Sequence, residues 1–242
     1  MRIRRPKKSV LTGAVAALGV CSVVLAFIAP GVEETKVDLN DGGVWVTNAK
    51  RGIVAHVNVP ARLMDAGLHA ASSTFDVFQN GEQVQLSDQV ANTLAPIDVA
   101  TATLTSAVDY RGMTTDVRGG TIAVTDAPNG KVWAQQADHP APINADDADA
   151  SISDVPGAVT TVDLEGNVHA VSAEAGRVTS LLKRGALTDT TTTPLTGVSA
   201  TDYLQIAAVG TDVVVWDQDT STLYLPGGKT QRIDGERVVL QD

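Results

Sequence analysis

The chain has 242 residues, a single cysteine and a net charge of −10. One cysteine excludes an intrachain disulfide, so any exported part must rest on its own core. The acidic balance repels phosphate backbones and excludes nucleic acid as an expected partner.

The first element is a leader. Arg2, Arg4, Arg5, Lys7 and Lys8 precede an uncharged run from Ser9 to Val32. As a helix this run spans roughly 36 Å, enough for a hydrocarbon core of about 30 Å. Its end, Ala26-Phe27-Ile28-Ala29-Pro30, puts bulky Phe27 at a cleavage-recognition position and Pro30 where a mature chain would begin. That favours a retained anchor over a cleaved signal peptide. The expectation is a basic cytoplasmic tail (1–8), one transmembrane anchor (9–32) and an extracytoplasmic bulk, in a single-pass protein of the cell membrane. Leu18-Gly19-Val20-Cys21 approximates a lipoprotein processing site. Val20 is too large for that motif and the chain stays apolar beyond it, so Cys21 is expected to be buried and inert. The five leader cations contribute +5, so the exported remainder carries −15.

Beyond the leader, Ala, Val, Thr and Gly dominate and aromatics are scarce. Such a composition suits strands and tight turns. A repeat runs through it. Gly42 and Gly52, Gly120 and Gly130, and Gly166 and Gly176 each lie ten positions apart. Apolar residues fall two and four places after the first glycine: Val44 and Val46, Ile122 and Val124, Val168 and Ala170. A valine stands two places after the second: Val54, Val132, Val178. A weaker copy starts at Gly210, with Thr220 in place of the second glycine. Each copy reads as a β-hairpin with one buried face, its loop closed by a glycine at positive φ. A degenerate unit lies in the longest gap, where Phe75–Phe78 and Val84–Leu86 flank Asn80-Gly81.

Hairpins returning every forty-odd residues predict an all-β fold, a β-propeller-like array of antiparallel hairpins filling 36–242 with about five units. Two β-sandwich domains are the alternative. Asp138–Asp154 and Leu187–Pro194 read as polar connectors, and Pro60–Ala70 as a short helical turn or irregular crossover. Arg237-Val238-Val239-Leu240 reads as the opening of a further strand; the expectation is an incomplete array, in a chain that is a fragment or the front part of a longer protein.

The leader, Gly43-Val44-Trp45-Val46-Thr47-Asn48 with Gly52, and the echoes at Gly120 and Gly166 together resemble the N-terminal region of large membrane-anchored bacterial surface proteins. In these a propeller-like region precedes fibronectin type III or immunoglobulin-like repeats. The resemblance implies an extracytoplasmic binding or structural role and carries over no catalytic residue.

The residues themselves offer little chemistry. A nucleophile elbow, a phosphate-binding glycine loop and a His-Glu-x-x-His helix are all missing from the sequence. No catalytic, cofactor-binding or metal-ligating residue is expected, and no cofactor. The histidines are scattered, and His169, in mid-strand, reads as surface-facing. The cluster Asp146, Asp147, Asp149 and Asp154 reads as solvated loop charge. Asp126, Glu174, Asp217 and Asp219 fall at hairpin loops, where turn chemistry competes with a ring of acids binding cations or sugars. Trp45, Trp133 and Trp216 either anchor packed sheets or stack on sugar rings.

The expected function is a non-catalytic, membrane-anchored binding or scaffolding protein of the cell envelope. Its expected partners are an envelope protein or cell-wall polymer, and the bilayer through the anchor. The alternative is a carbohydrate-acting or carbohydrate-binding surface protein, with acids and tryptophans on a propeller face.

Overall fold

The computed structural model describes residues 43–81, 83–144, 146, 149–184, 187–233 and 239–240. The expected tail and anchor, 1–8 and 9–32, lie outside them, as do Arg237 and Val238 of the strand expected at 237–240, whose Val239 and Leu240 are described and are not in a strand. Among the described residues no helix is long and apolar enough to cross a membrane.

Among the described residues five antiparallel sheets follow one another along the chain. Sheet 1 holds β1 (Gly43–Asn48), β2 (Ile53–Asn58) and β3 (Leu63–His69). Sheet 2 holds β4 (Phe75–Asn80), β5 (Gln83–Asp88), β6 (Thr93–Asp98) and β7 (Thr103–Leu104), with β8 (Val108–Asp109) also on β6. Sheet 3 holds β9 (Thr114–Arg118), β10 (Thr121–Asp126) and β11 (Lys131–Gln136). Sheet 4 holds β12 (Val159–Val162), β13 (Val168–Ser172), β14 (Arg177–Arg184) and β15 (Leu187–Pro194). Sheet 5 holds β16 (Leu204–Val209), β17 (Asp212–Asp217), β18 (Thr222–Leu225) and β19 (Lys229–Arg232).

Each sheet packs on the next. β1 meets β4, β4 meets β9, β9 and β10 meet β12, and β12 and β13 meet β16. Four apolar clusters fill the gaps. Trp45, Val54, Phe75, Val84, Leu86 and Ile97 join sheets 1 and 2. Leu94, Val108, Tyr110, Ile122 and Val124 join sheets 2 and 3. Ala123, Val132, Val162, Val168 and Ala170 join sheets 3 and 4. Val171, Val178, Leu204, Ile206 and Val215 join sheets 4 and 5. Successive side chains of β10 therefore enter different clusters, and the strand is buried along its whole length. A strand with both faces covered needs no polar alternation.

This stacking corrects two expectations. Val44 and Val46 are 45% and 43% exposed, because the packed face of β1 is the one that carries Trp45. His169 is 3% exposed rather than surface-facing, because sheet 5 covers the side of β13 opposite Val168 and Ala170.

The hairpin loops share one local design. A side chain at the end of a strand accepts a backbone N–H two or three residues on, and the residue four places on has positive φ. Asn48 with Gly52, Asn58 with Arg62, Asp88 with Asn92, Asp98 with Ala102, Asp126 with Gly130, Ser172 with Gly176 and Asp217 with Ser221 all follow it. Polar capping of the turn and a left-handed closing residue are what short hairpin loops require. The design shifts two of the expected positions. In sheet 5 the closing residue is Ser221 (φ 53°), not Thr220. In sheet 2 the equivalent hairpin is β5–β6, closed by Asn92 (φ 52°), rather than the Asn80-Gly81 hairpin of β4–β5.

Two expected connectors are strands. Leu187–Pro194 pairs with β14 from Arg184↔Leu187 to Arg177↔Pro194, its threonines supplying strand-favouring branched side chains. Leu63–His69 pairs with β2 across a register shift at His56/Val57. The described residues of Asp138–Asp154 run largely without regular structure, except that Ile152 bridges to Val132.

Candidate functional site

The acids singled out by the sequence lie at second-to-third-strand turns, at one end of their sheets. Asp126 is buried and accepts from the Asn129 backbone and side-chain nitrogens at 3.3 and 2.8 Å. Asp217 is buried and accepts from Asp219 N, Thr220 N and Thr220 Oγ1 at 2.9, 3.1 and 2.7 Å. Asp219 is exposed and accepts from Tyr203 N at 2.6 Å. Glu174 is exposed in the β13–β14 turn. Trp45, Trp133 and Trp216 are all buried, which removes them from an exposed stacking face. Trp45 packs instead against His56, ring centroids 5.3 Å apart. Of the 146–154 cluster, Asp147 lies outside the described residues, and among the described residues no group of His, Cys, Asp and Glu could hold a metal ion.

Replacing Asp126 by alanine should cost about 1–2 kcal/mol by freeing the turn donors it accepts. Chemical denaturation measures this directly. Glu174→Ala, at an exposed position of an equivalent turn, should change stability by no more than ~0.5 kcal/mol.

A buried polar relay joins sheets 3 and 4. Asp163, fully buried in the β12–β13 turn, accepts from Glu165 N, Asn167 N and Asn167 Nδ2 at 2.9, 2.9 and 2.7 Å. His169 Nε2 stands 3.3 Å from the same carboxylate, and its Nδ1 stands 2.8 Å from Ser180 Oγ. Burial pushes the Asp163 carboxyl up, but the Asn167 and His169 bonds outweigh it and hold the group below the usual carboxylate range. Burial also pushes the His169 imidazole below its ordinary value, against the pull of Asp163. The neutral ring therefore donates from Nε2 and accepts the Ser180 hydroxyl at Nδ1. Across the turn, Thr121 Oγ1 donates to Gly166 O at 2.9 Å, and Lys183 Nζ donates to Thr121 Oγ1. Serine, histidine and aspartate in line resemble a nucleophilic relay. Here the chain serves the turn, and none of the three lines the cleft.

The cleft lies at the other end, where first and second strands join. It has a volume of about 300 Å³ and is formed between the β4–β5 hairpin and the β9–β10 hairpin. Gln85 and Ala137 are its buried floor, and Gln79, Asn80 and Leu164 are its exposed rim. Val77, Phe78 and Val117 make an apolar wall, and Arg118 and Gln83 a polar one. Gln79 is fixed from behind: its Oε1 accepts from Trp45 N at 3.0 Å and its Nε2 donates to Gly43 O at 3.2 Å. Gln85 Nε2 donates to Ala137 O. The remaining amide oxygens, Gln85 Oε1 and Gln83 Oε1, are buried with no donor. Buried acceptors without donors are rare because each costs desolvation. None of the sequence-selected residues lines this cleft. The missed signal is the run Gln79-Asn80-Gly81-Glu82-Gln83-Val84-Gln85, four amide side chains around one turn.

No protein-family profile matches the sequence, and no curated protein sequence does. Solved structures match on fold. Hsv2 of Kluyveromyces lactis superposes with a TM-score of 0.53 at 10% identity, over 83% of this chain and 62% of that one. The K. lactis Hsv2 with loop 6CD replaced by a Gly-Ser linker gives 0.53 at 10% identity, over 76% and 60%. Dihydro-heme d1 dehydrogenase NirN in complex with DHE gives 0.52 at 10% identity, over 79% and 44%. The chain thus spans 60–62% of the length of these two Hsv2 chains. These likenesses establish an all-β fold with propeller-like neighbours and carry no residue roles.

Proposed function

We propose that this chain is a non-catalytic binding or scaffolding protein of the cell envelope, held by its N-terminal segment in a membrane, whose propeller-like part binds a polar ligand in the cleft between sheets 2 and 3. One observation carries the reading: a 300 Å³ cleft holds an arginine beside Gln83, whose amide oxygen lacks a donor. That volume is at the small end of ligand pockets, and an apolar lining with a few convergent polar groups is their usual character. The basic leader and the apolar run behind it support the anchor. The partner is a cell-wall polymer or an envelope protein that presents hydrogen-bond donors.

Two measurements test the two halves. The full chain should stay with membranes through an alkaline carbonate wash, and a reporter fused behind Asp242 should be active only outside the cytoplasm. Release by carbonate, or activity inside, overturns the anchored reading. For the cleft, Leu164→Trp on the exposed rim should abolish binding of whichever cell-wall oligosaccharide or envelope peptide the parent takes up. Unchanged binding would place the site elsewhere.

A further inference from the structure

We infer that the cleft between sheets 2 and 3 takes an acidic sugar, a uronate residue of a polysaccharide; this rests on the cleft being a binding site. The groups present select the ligand by three requirements. Gln83 Oε1 and Gln85 Oε1 both lack donors. Gln85 Oε1 is closed off beneath the floor, its amide bonded to Ala137 O, so the oxygen that a ligand can meet is that of Gln83. Gln83 Oε1 lies against the bare backbone of Gly120, where a Cβ would come within 3.9 Å. The broad terminal torsion of glutamine lets that oxygen turn into the cleft. A sulfate or phosphodiester, which only accepts, meets another acceptor there and is disfavoured. A hydroxyl group satisfies it.

The second requirement is an anion. Arg118 lines the cleft half-buried, in a chain whose net charge is −10, and among the described residues no carboxylate forms an ion pair with it. A guanidinium is built to take a carboxylate through paired N–H bonds. The third is shape. Val77, Phe78 and Val117 form an apolar wall, and Leu164, 64% exposed, stands at the mouth. They suit the C–H face of a rigid pyranose ring, which loses little conformational entropy on binding. A ring with hydroxyls along one edge and a carboxylate on another meets all three requirements.

The test is calorimetric titration of the full chain, purified in detergent, with trigalacturonate, a neutral glucose trisaccharide and triglutamate. Arg118→Gln, Gln83→Leu and Leu164→Trp are compared after melting curves show parental stability. Trigalacturonate should bind, and Arg118→Gln and Gln83→Leu should each weaken it about tenfold. The neutral trisaccharide should bind at least as weakly as trigalacturonate binds to Arg118→Gln. No binding of trigalacturonate, binding to both variants as tight as to the parent, or equally tight binding of triglutamate overturns the inference. A neutral sugar bound tightly and blocked by Leu164→Trp would remove the uronate while leaving the cleft as a binding site. If no ligand responds to Leu164→Trp, both readings fall.

Discussion

Gly119→Ala or Gly166→Ala should each cost about 4 kcal/mol or more, a large part of the 5–15 kcal/mol that holds a typical domain together. A Cβ at Gly119 would lie 2.3 Å from Gly166 N and 2.7 Å from Leu164 O, and one at Gly166 would lie 2.5 Å from Gly119 O. Backbone stands against backbone at both positions, so a side-chain rotation cannot relieve the clash, and Thr121 Oγ1 also lies 2.5 Å from a Cβ at Gly166. Both residues also have positive φ, 55° and 80°. The contact joins the β9–β10 turn of sheet 3 to the β12–β13 turn of sheet 4, and Thr121 Oγ1 closes it with its bond to Gly166 O. Gly176→Ala separates the two causes. Its φ is 61° but nothing lies within 4 Å of the added Cβ. Conformational strain alone should cost roughly 1–2 kcal/mol. Urea titration of the three variants measures the difference, and equal losses would mean that the inter-sheet contact contributes nothing.

Asp163→Ala should be comparably damaging, at roughly 3–5 kcal/mol, because it strands buried donors that now share one carboxylate. Glu165 N, Asn167 N, Asn167 Nδ2 and His169 Nε2 all lose their acceptor. The same relay sets a pH dependence. The folded state holds His169 below its ordinary value. As pH falls through the unfolded value of about 6.5, the unfolded chain gains a proton that the folded chain refuses, so stability declines with acidity. Asp163 has the depressed pKa of a well-bonded carboxylate. Its contribution persists above the unfolded carboxylate value and disappears as pH falls through the lower folded one. Melting temperature should therefore drop between pH 7 and pH 5, and the drop should shrink in His169→Gln. A parent protein equally stable at both values would contradict the burial of an uncharged ring.

What the sequence reveals and what it hides divide along local and non-local physics. The hairpins at Gly52, Gly130 and Gly176 were legible because a loop needs a left-handed residue at a fixed place, and glycine marks it; each has φ between 61° and 64°. Asn92, Arg62 and Ala102 adopt the same conformation without being glycine, so their loops were hidden. There the acceptor four places earlier, Asp88, Asn58 or Asp98, is the readable sign. The outer strands β3 and β15 escaped because they carry little apolar alternation and gain their order from pairing with a neighbour. His169 escaped for the opposite reason. Its strand is covered on both faces, and one-faced alternation gives the wrong expectation there.

The cleft was the least legible feature. Gln83 and Gln85 come from sheet 2, Arg118 from sheet 3 and Leu164 from the turn that opens sheet 4. No fixed spacing links residues brought together by stacking. The acids and tryptophans, by contrast, stood out in the sequence because turns and cores use those residue types in repeated positions. Asp126 and Asp217 cap their loops, and Trp45 fills the gap between sheets 1 and 2.

Amide hydrogen exchange of the full chain in detergent, with and without trigalacturonate, the neutral trisaccharide and triglutamate, tests the binding cleft most directly. At least one probe should slow exchange at Val77–Gln85 and Val117–Thr121 while leaving the turns at Asp126–Gly130 and Asp217–Ser221 unchanged. Protection confined to those turns, or no protection from any probe, would contradict the assignment of the cleft as the place where this protein binds.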